Sequence, residues 1–329
     1  MSQELRETDL MEELRSELTG YCYRMMGSIA EAEDAVQDTM IRVWQNRDQI
    51  RQYSSRKAWV YRIATNVCLD RLRSAKRRAL PMDLSEPAAI IMEPKDSMPR
   101  SAWVWPAPDT ANDPVDILVS RETIRLSFIA IMQKLPPRQR AVLILLDVFR
   151  WSAKEVADAM GMTVAAVNSA LQRARATIAQ SNLRSDEYHE EDVQTDQQLV
   201  TRYMEAFEQY DIEALIALFH ENGSLSMPPF TMWVRGSINL SSFYNITRSH
   251  CLGSRLLPVR ANGNTPAFAQ YVPSGRDGLL SPWSIQVLEI KQDKIAHIHY
   301  FIDPDLFARF GLPAGLDDNQ EFFSGIPMI

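Results

Sequence analysis

No stretch of this 329-residue chain is long and apolar enough to cross a bilayer: its longest apolar run, Ala141 to Phe149, reads AVLILLDVF and is interrupted by Asp147. A secretory signal is also missing, because MSQELRETDLMEEL is acidic where such a signal is first basic and then apolar. These two absences predict a cytoplasmic protein. Cysteine is scarce, and Cys22, Cys68 and Cys251 are odd in number and far apart in sequence. That pattern fits reduced, mostly buried thiols better than a disulfide framework or a metal site; no metal and no cofactor is expected. The Asn245-Ile-Thr247 sequon is then a chance match. Net positive charge is lacking as well, at −7 overall, which at first sight argues against a nucleic-acid partner.

The distribution of charge reverses that impression. Residues 1–50 hold 5 Lys/Arg against 11 Asp/Glu, whereas residues 51–80 hold 9 against 1. Residues 134–180 hold 7 against 3, and residues 186–329 hold 9 against 19. Two basic segments are therefore hidden inside an acidic total, each an electrostatic footprint suited to phosphate or simply a solvated helix face.

With 46% hydrophobic residues the chain can bury more than one core, so two or three domains are expected. Residues 10–26 and 30–46 read as helices, the second burying Ala32, Val36, Met40 and Val43 and leaving Glu33, Asp34, Gln37, Asp38 and Arg42 outside. A loop from Asn46 to Ser55 leads to a third helix, capped by Ser54 or Ser55, with Val60, Ile63 and Val67 on one face. Prolines then recur without any period from Leu80 to about Asp116, as in an extended linker. Trp103 and Trp105 are costly to leave in water, so they are expected to staple that linker to a neighbouring surface. Helices resume near Pro114, with Ile117, Leu118, Ile124, Leu126 and Phe128.

The segment WSAKEVADAMGMTVAAVNSALQRARATIAQ, Trp151 to Gln180, specifies a helix pair. Ser152 and Glu155 form a capping box, Gly161 can end the first helix in the left-handed conformation, and Thr163 can cap the second. In that second helix Val164, Val167, Leu171, Ala174 and Ile178 make one apolar stripe. Opposite it lie Ala165, Ala166, Ser169, Gln172 and Arg173, with Asn168 and Arg175 on the flanks. Such a face can enter a major groove, or it can be the ordinary wet side of a packed helix. Residues 51–80 weigh toward DNA, because Trp59 and Tyr61 are interleaved with Arg56, Lys57, Arg62, Arg71, Arg73, Lys76, Arg77 and Arg78, a mixture suited to phosphates and unpaired bases.

The segments EAEDAVQDTMIRVW, KAWVYRIATNVCLDRLRSAKRR and LPPRQRAVLILLDVFRWSAKEVADAMGMTVAAVNSALQRAR closely resemble regions two and four of extracytoplasmic-function sigma factors of the sigma-70 family. The resemblance implies a subunit that recruits core RNA polymerase to promoter DNA, region two melting the minus-ten element and region four reading the minus-thirty-five element. It places Asp34, Gln37, Asp38 and Arg42 on the polymerase. It assigns Lys57, Trp59, Arg62, Asn66, Asp70 and Arg73 to the minus-ten element, with the Asn46–Ser55 loop capturing a flipped base. It assigns Arg138, Arg140, Thr163, Ala165, Ala166, Asn168, Ser169, Gln172 and Arg173 to the minus-thirty-five element. The linker then resembles the segment that such factors thread along polymerase, and an anti-sigma factor of unknown identity is a partner that the resemblance allows.

After the charged stretch SDEYHEEDVQTD, the chain changes character. Leu199, Tyr203 and Phe207 mark a helix, Ala214 to Phe219 suggest another, and SPWSIQVLEIKQDKIAHIHYFID alternates about a turn at Gln292-Asp293-Lys294, with further strands near Ser224–Met227 and Ala267–Val272. LVTRYMEAFEQYDIEALIALFHENGSLSMPPF and the terminal strands resemble a SnoaL-like cone, a sheet with helices enclosing a pocket. Tyr203, His220, Met227, Trp233, His297, His299 and Asp303 are pocket candidates; His297 and His299 alternate on one strand face, as an acid/base pair or as core groups would.

The expected fold is therefore multidomain: an all-α region two over 1–80, an extended linker over 81–114, a helix-turn-helix region four over 115–182, an acidic linker over 183–195 and a SnoaL-like α+β domain over 196–329. The expected function is promoter-directed initiation without catalysis, with the C-terminal domain regulating it. The alternative is a transcription regulator fused to a ligand-binding or enzymatic cone.

Overall fold

In the computed structural model, residues 2–47, 55–74, 77–88, 97–109, 125–181, 193–275 and 278–317 are described. They form two units, residues 1–79 with 101–186, and residues 80–100 with 187–329.

The first unit is helical. Helices α1 (Ser2–Met26), α2 (Ile29–Gln45) and α3 (Arg56–Ser74) pack on one another, and α4 (Leu126–Gln133), α5 (Pro137–Leu143), α6 (Ala153–Met160) and α7 (Val164–Ser181) complete it. Ser55 caps α3 through the amide of Ala58, 3.2 Å away; Ser54 and most of the preceding loop lie outside the described residues. The capping box at Ser152 and Glu155 is present, Gly161 closes α6 at φ 64°, and Thr163 Oγ1 accepts from the Ala166 amide at 3.2 Å. The buried stripe of α7 is rotated slightly from the expected one: Val167, Ala170 and Ala174 are fully buried, while Val164 is 44% exposed. Helix α3 is buried on more than one stripe, with Trp59, Val60, Tyr61, Ala64, Val67 and Cys68 all inside, because α1 and α2 cover one side of it and α6 another. Cys22 and Cys68, far apart in sequence, meet there as free thiols with sulfurs 3.6 Å apart.

A π-helical turn, Ile144–Val148, follows α5. It widens the backbone so that Phe149 and Trp151 reach region two: the Tyr61 ring lies 4.8 Å from Trp151 and 5.9 Å from Phe149, and Tyr21 lies 6.1 Å from Phe149.

The second unit is α+β. Helices α8 (Val193–Glu208), α9 (Ile212–Leu218) and α10 (Ser237–Cys251) lie against a sheet of β1 (Phe219–Ser226), β2 (Trp233–Arg235), β3 (Arg255–Ala261), β4 (Thr265–Pro273), β5 (Leu279–Lys291) and β6 (Lys294–Phe301). The strand order is β2-β1-β6-β5-β4-β3, with β1 and β6 parallel and every other neighbouring pair antiparallel; a short β7 (Leu316–Asp317) adds to β5. Helix α11 (Asp305–Arg309) packs on β5. This is the architecture that the SnoaL-like resemblance implies. The expected hairpin turn forms with Gln292 and Asp293 both at positive φ.

The segment read as an extended linker divides between the units. Trp103 and Trp105 are 0% and 2% exposed and staple its second part to region two, whereas Leu80–Arg100 belongs to the C-terminal unit. Residues 110–124, including Ile117, Leu118 and Ile124, lie outside the described residues.

Two expectations follow. Trp103→Ala should lower the stability of the helical unit by about 3–5 kcal/mol, read by calorimetry, because the ring it removes is fully buried. Ser152→Ala should cost about 1 kcal/mol at neutral pH. The amide and hydroxyl of Ser152 hold the Glu155 carboxyl below its usual pKa, so this contribution is complete above the ordinary carboxylate pKa and lost as pH falls through the depressed one. The Ser152→Ala difference should therefore shrink in acid.

Candidate nucleic-acid and polymerase interfaces

On α7 the groups opposite the buried stripe are open: Thr163, Ala165, Asn168, Ser169, Gln172 and Arg173 are exposed and Ala166 is partly so. Arg175 is also exposed but is held by Asp147, whose two oxygens accept from Nη2 at 2.7 Å and Nε at 3.0 Å. That bidentate pair ties the middle of α7 to the turn after α5 and leaves Arg173 as the cation facing outward.

Arg138 is exposed at the start of α5, but Arg140 is not a DNA contact in this unit. It is 3% exposed. Its guanidinium donates to the Met25 carbonyl, to Gln133 Oε1 at 2.5 Å, and to the carbonyls of Gln133 and Leu135 at 3.1 Å each. Burial draws its pKa down to about 9, while the surrounding carbonyl oxygens hold the charged form. The resemblance assigns Arg140 to the minus-thirty-five element together with Arg138; two positions further along the helix it points the other way, into the junction with α1.

On α3, Asn66, Asp70 and Arg73 are exposed and Arg62 is half-buried, near Gly161 in the turn between α6 and α7. Lys57 pairs with Glu17 at 2.6 Å. Trp59 is 2% and Tyr61 0% exposed, so neither ring is open to an unpaired base in this arrangement. The sequence pattern showed aromatics among cations, but not that a second helix layer covers them.

The polar side of α2 is partly engaged with α3. Asp38 accepts from Arg71 at 2.6 Å, Asp34 lies 4.0 Å from the same guanidinium, and Arg42 lies 3.7 Å from Asp70, which also pairs with Arg73 at 3.2 Å. These groups are about a third or more exposed and solvent-screened, so each pair contributes little. Gln37 is exposed, and beside it on the same helical face stand Ile41 and Trp44, 47% and 68% exposed. Sequence reading singled out the charges and missed this apolar pair, whose signal is the i, i+4, i+7 spacing of Gln37, Ile41 and Trp44.

The residues proposed for a pocket in the cone do not share one. Leu288, Ile298 and Tyr300 face the helices with Tyr203, Met227 and Phe268. His297 and His299 alternate with Ile298 and Tyr300 and so lie on the opposite face. There they are linked through Ser224 (2.6 Å), Ser226 (3.1 and 2.9 Å) and Glu289 (3.4 Å). The helix-covered side is filled instead by hydroxyls: Tyr203 lies 2.9 Å from Tyr300 and donates to Gln286 at 2.7 Å, and Tyr244 lies 3.0 Å from Tyr300. Burial pushes all three tyrosine pKa values up. His220 is at the surface end of β1, and Trp233 donates to the carbonyl of Ser85 at 2.9 Å. Cavities of 410 and 290 Å³ lie elsewhere, beside Leu279–Ser281 and beside Leu252, Val272 and Trp283.

The family descriptions "Sigma-70 region 2" and "Sigma-70, region 4" match residues 10–78 and 125–178. The chain is 40% identical over 316 residues to the ECF RNA polymerase sigma factor SigG of Mycobacterium tuberculosis, covering 93% of this chain and 83% of that one. It is 27% identical over 320 residues to SigJ of the same organism, covering 92% and 93%. The crystal structure of Mycobacterium tuberculosis SigJ superposes with a TM-score of 0.63 at 22% identity, over 93% of this chain and 99% of that one.

Arg140→Ala leaves buried carbonyls without donors and should cost at least about 2 kcal/mol in urea unfolding. Lysine, lacking the fork, should not restore it, and Arg138→Ala should change stability by less than about 0.5 kcal/mol.

Proposed function

The chain belongs to the extracytoplasmic-function sigma factors of the sigma-70 family, and from that premise we propose how its surfaces divide the work of promoter-directed initiation. A sigma factor binds core RNA polymerase and promoter DNA and acts by binding, not by catalysing a reaction. No helix among the described residues is long and apolar enough to cross a membrane, and the site of action is the cytoplasm, where polymerase and DNA are.

Core polymerase docks on α2, through Asp34, Gln37, Asp38 and Arg42 surrounding Ile41 and Trp44. A tryptophan two-thirds exposed beside an exposed isoleucine is the observation that carries this assignment, since such an anchor gains most from burial against a partner. The minus-thirty-five element is read by the outward face of α7, from Thr163 to Arg173, with Arg138 on phosphate. Small residues at Ala165, Ala166 and Ser169 let the helix approach the groove closely, and Asn168, Gln172 and Arg173 supply base and phosphate donors. The minus-ten element is met by Asn66, Asp70, Arg73 and Arg62 on α3, with Lys57 at its start.

These surfaces cannot all be used in the arrangement described. The two promoter elements lie roughly 25 base pairs apart, about 85 Å of duplex, whereas a unit of about 165 residues has a radius of gyration of about 15 Å. Region four must therefore part from region two when both elements are bound. The contacts that separate are those of Tyr61 with Phe149 and Trp151 and those of Arg140 and Gln133 with the end of α1.

The C-terminal domain regulates this process. No observation favours a catalytic cone, because the candidate residues are divided between two faces of the sheet and the helix-covered side is packed with tyrosine and glutamine.

Promoter-dependent run-off transcription with core polymerase tests the reading. Arg173→Ala should lower output about tenfold with no change in unfolding midpoint, and Trp44→Ala should weaken polymerase binding by about 2 kcal/mol. Equal transcription by the full chain and by residues 1–185 would remove the regulatory role; no transcription by either would remove the sigma assignment.

A further inference from the structure

Helix α7 carries two cations of its own, Arg173 and Arg175. Successive residues of a helix stand about 100° apart, so Ala165, Ser169, Gln172 and Ala176 form one strip, and all four are exposed. From Gln172, Arg173 lies about 100° to one side and Arg175 about 60° to the other. A helix about 10–12 Å across fills a major groove about 12 Å wide, so each flank of a seated α7 faces a wall of phosphates. The sequence thus supplies one arginine for each wall.

The structure treats the two differently. Arg173 is open to solvent, whereas Arg175 gives Nη2 and Nε to the two carboxylate oxygens of Asp147, at 2.7 and 3.0 Å. Asp147 stands in the π-helical turn Ile144–Val148, whose Ile144, Leu145 and Val148 are buried and leave it at the rim. Such turns recur at functional positions. Burial does not demand this pair. The Arg175 side chain is 61% exposed and that of Asp147 31%, so water would solvate either one alone, and the pair contributes little to stability. Helix α7 is held on α5 by apolar packing instead, with Val142, Leu145, Val167, Ala170 and Ala174 inside. What the Asp147 carboxylate does change is charge. It occupies two donors on one edge of the guanidinium and fixes the fork in place, and the resulting pair is neutral, so this flank of α7 has no net attraction for phosphate.

We propose that Asp147 sets the affinity of region four for DNA by withholding Arg175 from the phosphate backbone, so that α7 is charged along one flank and leans on one strand. The proposal rests on the minus-thirty-five reading above and adds to it the residue that limits the grip. Phosphate contacts strengthen binding to DNA of any sequence. With Arg175 withheld, the chain is held less by bulk duplex, and its retention on DNA depends more on base contacts and on polymerase.

The test uses the full chain bound to core polymerase and two probes: a duplex pool with a randomised segment, and the duplexes that the unaltered chain with polymerase selects from it. Asp147→Asn, neutral and of the same shape, should bind both probes more tightly, with a salt slope steeper by about 0.9, so that its advantage at about 50 mM salt is about 3.5 times that at about 200 mM. Its urea unfolding midpoint should not move. Ethylating the phosphates of the selected duplex one at a time should reveal a new point of interference, on the strand opposite the one where Arg173→Ala removes a point. Asp147→Asn with Arg175→Gln, neutral as the pair itself is, should return to the slope and interference pattern of the unaltered chain. A slope left unchanged by Asp147→Asn would overturn the proposal. So would weaker binding with a lowered midpoint, which marks a structural clasp, or a slope in the double variant shallower than that of the unaltered chain, which means that Arg175 already meets phosphate. If the unaltered chain with polymerase selects no duplex at all, the sigma reading falls and the proposal falls with it.

Discussion

The carboxyl end of α1 is the constraint on which the helical unit depends. A helix leaves its last carbonyls without intrahelical partners, and here they are met by groups from far along the chain. Gln133 Nε2 approaches the Arg24 carbonyl at 3.4 Å, Arg140 donates to that of Met25, and the Trp105 amide donates to that of Gly27 at 2.9 Å. Gly27 itself adopts φ 70°, and a Cβ there would come within 3.1 Å of the Gln133 side chain. One helix end thus gathers region two, the linker and region four, and each partner is a buried polar group that is costly to strand. Region four is joined to region two by a few directional bonds and an aromatic cluster, which suits the parting proposed for it.

The same logic separates the tied cations from the open ones. Arg78 donates to Glu31 and to the Trp103 carbonyl, Arg140 to the end of α1, Arg71 to Asp38 and Arg175 to Asp147. These four position helices and turns. Arg138 and Arg173 face solvent, and the net charge of the basic segments overstates how much of it is free to meet phosphate.

In the C-terminal unit, strand alternation decides what can be a site. Tyr300 turns toward the helices, and His299, one residue earlier, turns away. Two histidines that look like an acid/base pair therefore close a hydrogen-bonded row with Ser224 and Ser226 on one face, with Glu289 3.4 Å from His299, while three tyrosine hydroxyls and Gln286 fill the other.

Local chemistry alone determined much of this protein. The capping box at Ser152, the left-handed Gly161, the Thr163 cap, the apolar face of α2, the hairpin turn at Gln292-Asp293 and the need of Trp103 and Trp105 for a covering surface are all properties of neighbours in sequence, and periodicity and capping report them directly. Tertiary structure alone decided that α3 is covered from two sides, which buries Trp59 and Tyr61; that Arg140 is drawn inward to the Met25 carbonyl, 115 positions earlier; and that the linker is shared between two units. Those outcomes depend on which surfaces meet across long loops. A single helix or strand carries no record of its partner, so no spacing in the sequence could have announced them.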